Sequence, residues 1–115
     1  MSYQKMYEYA RSNPEGFWME AAAAIDWETE PSRALSDENA PLYEWFADGT
    51  LNGCWNAVDR HVAAGHGDRT AIIYDSPITS TVQKISYAEL QERVALLAGG
   101  LQAKGVTKGD RVIIY

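Results

Sequence analysis

The hydrophobic positions of this chain follow two periods, one typical of helices and one typical of strands. Apolar residues recur every three or four positions in four places, which predicts helices over 2–12, from Pro14 onward to Ile25, over 53–64 and over 87–104. Short runs rich in β-branched residues predict strands at Thr70–Asp75, Val82–Ile85 and Arg111–Tyr115. Residues 26–50 follow neither period and contain two prolines and an Asp-Gly pair, so we predict an extended arm anchored by tryptophans.

The ends of the predicted helices carry residues that favour helix starts and stops. Each helix is preceded by a side chain that can accept a hydrogen bond from the first helical N–H groups, namely Ser2, Asn13, Asn52 and Ser86. Ser86 and Glu89 also match a capping box. Gly65 and Gly105 lie where the third and fourth helices are predicted to end in a left-handed residue.

The last predicted strand, Arg111–Tyr115, is apolar on both faces, as strands of buried parallel sheets are. Strand, helix and strand in succession predict a right-handed crossover. So short a chain cannot cover both faces of such a strand, and we therefore expect a piece of a larger α/β protein whose sheet continues beyond Tyr115. The Gly99-Gly100 pair fits close packing of the helix on that sheet, which we favour, or the close approach of a ligand to the backbone.

Charge and aromatic residues are concentrated in the first half of the chain. The net charge is −6, and residues 1–50 carry three basic against ten acidic side chains. This balance argues against binding to the phosphate backbone of nucleic acids. All four tryptophans lie within the first 55 residues, where they form either a small local core or a surface that docks on a larger body.

The sequence also bears on the compartment. No apolar run is long enough to span a membrane, and the first residues lack the apolar stretch of a signal peptide. The single cysteine, Cys54, excludes an internal disulfide and fits a reducing compartment. We therefore expect a cytoplasmic protein whose partners include neither nucleic acid nor membrane.

Candidate catalytic and metal-binding residues are few. No phosphate-binding glycine motif is present, and the spacing of Cys54, His61 and His66 does not match a common zinc site. Cys54 falls on the apolar face of its helix and is predicted to be buried and inert. We expect no metal site.

Two sets of charged residues each allow both a structural and a functional interpretation. Asp59-Arg60-His61 is compatible with a general-base cluster, but we favour a structural role in which charged side chains of this helix tie segments together. Five further acidic residues are predicted to form a solvated arm rather than a carboxylate pair: Asp26, Glu28, Glu30, Asp37 and Glu38.

Several runs of residues together resemble a known family. Those that resemble the N-terminal region of acetyl-CoA synthetases are Asp48–Asn52, Asn56, Asp59-Arg60-His61 and Gly67–Tyr74. Those that resemble the first core motif of the wider adenylate-forming superfamily are Ile85–Leu90, Gly105-Val106 and Lys108–Val112. Ala71–Pro77 is most similar to the propionyl-CoA synthetase branch.

The resemblance implies a ligase for propionate or acetate. In the parent reaction the carboxylate attacks the α-phosphate of ATP to give an acyl-adenylate and pyrophosphate, and the thiol of coenzyme A then displaces AMP. ATP, Mg²⁺ and coenzyme A are thus implied for the full-length parent, with a small carboxylate as substrate. The motifs that bind them in the family are implied to lie beyond Tyr115, so we assign no catalytic, cofactor-binding or metal residue here and expect none of these ligands to bind this piece.

We divide the chain into an N-terminal helical and aromatic extension, residues 1–52, and the start of a large α/β adenylate-forming domain, residues 53–115. The partner of both is then the rest of the parent chain. Two alternatives remain open. The chain could begin another acid–thiol ligase of the superfamily, which the acyl pocket would distinguish. It could also be a stand-alone interaction module without catalysis, which a reading frame ending at Tyr115 would support.

Overall fold

The computed structural model describes residues 2–115 and has the mixed α/β character that the sequence predicts. It divides into two compact units, one that ends at Asn56 and one that comprises Ala57–Tyr115. The helices are α1 (Tyr3–Ser12), α2 (Pro14–Ala22) and α3 (Tyr87–Ala103). The strands are β1 (Trp27–Thr29), β2 (Leu35–Ser36), β3 (Glu44–Trp45), β4 (Thr50–Leu51), β5 (Thr70–Ser76) and β6 (Thr81–Ser86).

The junction between α1 and α2 follows from one asparagine. The Asn13 side chain accepts a hydrogen bond from the Gly16 amide at 3.0 Å, and Pro14 occupies the first helical position, so the predicted cap is confirmed. A Cβ at Gly16 would collide with the Asn13 side chain, which is why a glycine stands there. Ser2 begins α1 as predicted, but its side chain makes no capping hydrogen bond, and its carbonyl instead accepts from the Met6 amide at 3.1 Å.

The second helix is shorter than predicted. It ends at Ala22, and Ala24 and Ile25 follow in turns closed by bonds to the residues three positions earlier. The Trp27 indole donates to the Ala22 carbonyl at 2.8 Å. The Ala22 carbonyl thus accepts from the Ile25 amide as well as from this indole, so the chain leaves the α-helical bonding pattern after Ala22.

Residues 26–50 are not a simple extended arm. β1 pairs antiparallel with β4, and β2 pairs antiparallel with β3. The two small sheets escaped the sequence analysis because strands of two or three residues are too short to show a period.

Aromatic rings connect the elements of the first unit. Neighbouring rings have centroids 5.2–6.0 Å apart along the series Tyr9, Phe17, Trp18, Trp45, Phe46 and Trp27. Ala22 and Ala34 are buried beside them, at 7% and 1% exposure. A local aromatic core thus accounts for the contacts, yet Trp18 and Trp45 remain 43% and 52% exposed.

The helical segment 53–66 departs from a regular helix. The Asn52 side chain caps it by accepting from the Trp55 amide at 3.0 Å, and Gly65 has a φ of +81°, as predicted for each. Its turns at Trp55–Asp59 and Val62–His66 are π-helical. Because wider turns shift the side-chain register, the predicted apolar stripe does not form: Val58 is buried, but Cys54 is exposed.

The second unit contains a hairpin followed directly by α3. β5 and β6 pair antiparallel from Thr70–Ser86 to Ser76–Thr81. The amides of Tyr87 and Ala88 then donate to the carbonyls of Arg69 and Gly67, each at 3.0 Å. These bonds fix the start of α3 against the loop that precedes the hairpin.

Both predicted ends of α3 are confirmed. Ser86 accepts from the Glu89 amide at 3.2 Å, and the Glu89 carboxylate accepts from the Ser86 amide at 2.8 Å. At the other end, Gly105 is left-handed and its amide bonds to the Gln102 carbonyl. The Val106 amide bonds to the Leu101 carbonyl at 3.1 Å, which completes a Schellman motif.

The predicted parallel strand Arg111–Tyr115 is not formed. Every strand pair in residues 2–115 is antiparallel, and 111–115 pair with none of them, so the predicted right-handed crossover is also wrong for this part of the chain. Val112, Ile113 and Ile114 are 62%, 84% and 93% exposed. A strand needs neighbouring backbone groups, and apolar sequence alone does not supply them.

We expect Ser86→Ala to lower the free energy of unfolding at neutral pH by about 1 kcal/mol, because α3 loses its side-chain cap. Hydrogen bonds from Ser86 lower the pKa of Glu89 below its usual 4.5. The stabilisation by the Glu89 carboxylate is therefore complete above that pH and is lost as the pH falls through the lowered value. Ser86→Ala keeps the backbone amide that bonds Glu89, so denaturant unfolding should show both the variant and the unaltered chain losing stability between pH 7 and pH 3.

Ser2→Ala is the matched control, since Ser2 begins a helix without a side-chain capping bond. A loss of stability from Ser2→Ala as large as that from Ser86→Ala would contradict the assignment.

We also expect the chain to self-associate through its exposed apolar end, and Ile113→Lys to reduce this association. Sedimentation over a concentration series measures it. Ile78→Lys is the control, because Ile78 is 94% exposed but stands alone in the turn between β5 and β6. A monomer at all concentrations, or an equal effect of the two variants, would show that residues 112–114 do not drive association.

Candidate functional site

The Asp59-Arg60-His61 run lies at the junction of segment 53–66 with α3. Gln91 on α3 donates a hydrogen bond to the Asp59 carboxylate at 2.7 Å. The rings of His61 and Tyr87 have centroids 5.0 Å apart. Both contacts join secondary-structure elements, as the structural interpretation of this run predicts, and Asp59 orients Gln91 rather than a histidine general base.

Asp26 is exposed, as the prediction of a solvated arm requires, and it is also part of a polar clamp. Its amide donates to the Asn56 side chain at 2.9 Å, and the Asn56 side chain donates back to the Asp26 carbonyl at 2.9 Å. The Trp55 indole donates to the Asp26 carboxylate at 2.8 Å. We call these three residues the Asp26 clamp. The sequence offers no local signal for it, because the paired residues lie 30 positions apart.

The other predicted arm carboxylates divide into two groups. Glu28, Glu30 and Asp37 are exposed, as expected. Glu38 is also exposed, but it forms an ion pair with Arg33 at 2.6 Å, and Arg33 donates to the buried Ser36 hydroxyl at 2.8 Å. The hydrogen bond and charge of Glu38 raise the pKa of Arg33. This pair joins the residues on either side of β2 rather than preparing a catalytic group.

Asp48 fixes the loop that leads into β2. Both oxygens of its carboxylate accept from the Ser32 amide at 3.1 Å. The hydrogen bonds with Ser32 lower the pKa of Asp48 below its usual 3.8. The Asp48 carboxylate thus satisfies a backbone N–H group, whereas the Asp26 carboxylate accepts from a side chain; both are structural uses of charge.

Cys54 lies on the surface, where burial was predicted. Within residues 2–115, His61, His66 and Cys54 belong to no group of three or more histidine, cysteine or acidic side chains that could hold a metal ion. Across the same residues, no helix combines the length and apolarity that crossing a membrane requires.

The glycine pair on α3 has no packing partner. A Cβ added at Gly99 or Gly100 would meet no atom within 4 Å in the described part of the chain. Leu96 and Leu97 beside them are 71% and 65% exposed. The predicted close packing on a sheet is thus absent among residues 2–115.

Two family models match the chain in succession. The model described as "Acetyl-coenzyme A synthetase N-terminus" matches residues 3–57. The model described as "AMP-binding enzyme" matches residues 59–115. Together they leave almost no residue unmatched, and they meet beside the boundary between the two compact units.

Curated relatives match over nearly the whole chain. Acyl-CoA synthetase short-chain family member 3, mitochondrial, of Rattus norvegicus is 46% identical over 113 residues, which is 98% of this chain and 16% of that protein. Acetyl-coenzyme A synthetase of Streptomyces avermitilis is 47% identical over 109 residues, 95% of this chain and 17% of that protein. The acetyl-coenzyme A synthetase of Burkholderia thailandensis is 43% identical over 115 residues, which is 99% of this chain and 17% of that protein. The chain thus spans less than a fifth of the length of these relatives.

We expect Asn56→Ala to lower the free energy of unfolding by about 2 kcal/mol, because it leaves the Asp26 amide and carbonyl without their partners. Unfolding by denaturant, followed by tryptophan fluorescence, measures the change. Asn39→Ala is the control: Asn39 makes one exposed side-chain hydrogen bond of 3.4 Å, and its loss should cost less than about 0.5 kcal/mol. Equal effects of the two variants would contradict the assigned role of the clamp.

Proposed function

This chain belongs to the family of AMP-forming short-chain acyl-CoA synthetases, as their N-terminal region, and we propose that the whole protein joins propionate or acetate to coenzyme A. The observation that supports this is the succession of the two family models over residues 3–57 and 59–115. The reaction has two steps. A carboxylate oxygen attacks the α-phosphate of ATP and releases pyrophosphate, and the thiol of coenzyme A then attacks the acyl carbonyl and releases AMP.

Both steps bring anions together, which decides what the catalytic residues must do. Carboxylate, triphosphate and the phosphates of coenzyme A repel one another, so Mg²⁺ and fixed donors are needed where charge develops. Two observations support our proposal that residues 2–115 do not supply these parts. These residues contain no group of three or more histidine, cysteine or acidic side chains that could hold a metal ion, and the carboxylates of Asp26, Asp48 and Glu89 are engaged by the chain's own N–H groups. ATP, Mg²⁺ and coenzyme A are therefore proposed to bind outside these residues.

Among short carboxylates we propose propionate as the preferred substrate. The support is the segment Ala71–Pro77, which is similar to the propionyl-CoA synthetase branch and forms most of β5 and the start of the following turn. This segment lies in a hairpin that lines no described groove, so it marks the branch and does not itself select the acyl chain.

The proposed role of this region is structural. The Asp26 clamp, the Arg33–Glu38 ion pair and the Asp59–Gln91 bond each hold two segments of backbone together. We further propose a cytoplasmic location, supported by the single cysteine, which suits a reducing compartment.

The whole protein should release pyrophosphate from ATP and Mg²⁺ with propionate faster than with acetate or butyrate, while the 115-residue chain alone should release none. A coupled pyrophosphate assay with each acid measures this. If the whole protein released pyrophosphate with none of these acids, the ligase assignment would be contradicted. Pyrophosphate release by the 115-residue chain alone that disappears when this chain is mutated would contradict the proposal that the substrates bind elsewhere.

A further inference from the structure

A groove of about 300 Å³ in the first unit has aromatic walls and a carboxylate at its rim. Trp18 of α2, Trp45 of β3 and Tyr43 just before β3 line it. Ala34, 1% exposed, lies at its base. The volume is at the lower end of the range for small-molecule sites and suits a single side chain of a larger partner.

The two indoles are held firmly but incompletely covered. Trp18 and Trp45 lie 5.5 Å apart with ring planes at 76°, so the rings meet as two walls of a corner. Phe17 packs on Trp18 at 5.2 Å, and Phe46 packs on Trp45 at 6.0 Å. Tyr43 remains 57% exposed and Trp45 52% exposed. Binding here would need little ordering of side chains, since neighbouring rings already fix the two walls.

The charge at the groove is negative and partly uncompensated. Glu15 and Asp37 line it. The Glu15 carboxylate accepts from the Ala34 amide at 2.6 Å, and the nearby cation, Arg33, is paired with Glu38. The Asp37 carboxylate makes neither a hydrogen bond nor an ion pair within residues 2–115, although its charge contributes to the raised pKa of Arg33. The surrounding segment, residues 1–50, carries a net charge of −7.

We propose that this groove binds an arginine side chain presented by a basic peptide segment. The guanidinium lies over the indole faces of Trp18 and Trp45, where the ring quadrupole attracts a cation. Its N–H groups donate to the Asp37 carboxylate. Its aliphatic stem covers the apolar floor at Ala34. The proposal is independent of the ligase activity, because it uses none of the residues or ligands of that reaction.

The same features favour arginine over lysine or an apolar side chain as the occupant of the groove. A guanidinium is planar, weakly hydrated and able to stack on an indole while it pairs with a carboxylate, whereas an ammonium is a strongly hydrated point charge. A neutral apolar side chain would cover the rings but would desolvate Asp37 without giving it a partner. The net charge of residues 1–50 also favours encounter with basic segments over acidic ones.

The test uses the 115-residue chain at a concentration where sedimentation shows a monomer. Three capped peptides of serine and glycine carry arginine, lysine or citrulline at the same three positions; citrulline keeps the shape of arginine without its charge. An NMR titration follows the indole N–H signals of Trp18 and Trp45. We expect saturable shifts with the arginine peptide, several-fold weaker binding with lysine, and binding about tenfold weaker with citrulline.

Two variants locate the site. Asp37→Asn keeps the side-chain shape and should weaken the arginine peptide about tenfold at low salt, and Trp45→Leu should weaken it at least as much. The matched controls are Asp75→Asn, an exposed carboxylate on β5, and Tyr3→Leu, a 79% exposed ring on α1; both should bind unchanged. Affinity within twofold for the citrulline peptide, or for Asp37→Asn, overturns the proposal even if Trp45→Leu fails to fold.

Discussion

Reciprocal hydrogen bonds between Asp26 and Asn56 are the constraint on which the first unit depends. Two bonds of 2.9 Å join residues 30 positions apart, and the Trp55 indole adds a third to the Asp26 carboxylate. Hydrophobic burial alone does not fix this unit, since its buried apolar residues among those described are small: Ala22, Pro31 and Ala34. A long loop costs little more to close than a short one, so a few well-aligned polar bonds suffice to hold β1 beside β4.

The start of α3 plays the corresponding part in the second unit. Three of its first N–H groups are satisfied from outside the helix: Tyr87 by Arg69, Ala88 by Gly67 and Glu89 by the Ser86 hydroxyl. These bonds anchor the helix to the loop before the hairpin. Its other end is closed by the Schellman motif at Gly105 and Val106, while Leu96 and Leu97 between the two ends remain largely exposed. Order in this unit is therefore concentrated where backbone groups are paired, not where apolar residues are most frequent.

The features that sequence predicts here are those that depend on neighbours within five positions. The caps at Asn13, Asn52 and Ser86 and the left-handed stops at Gly65 and Gly105 are each decided by one side chain or by the absence of one. The errors concern distant partners. The clamp depends on a residue 30 positions away. The expected strand 111–115 lacked a neighbouring backbone, and the exposure of Cys54 followed from π-helical turns that no residue pattern announces.

The distribution of charge separates this region from the chemistry proposed for the whole protein. Every reactant of that chemistry is an anion, and residues 1–50 carry a net charge of −7, which repels anions at distances within the Debye length. Of the carboxylates there, those of Asp26, Glu15 and Asp48 are engaged by the chain's own N–H groups. Asp37, beside exposed indoles, is not engaged in this way within the described residues. The unit is therefore electrostatically matched to a cationic protein segment, and the positive charge that the reaction requires must come from residues outside it.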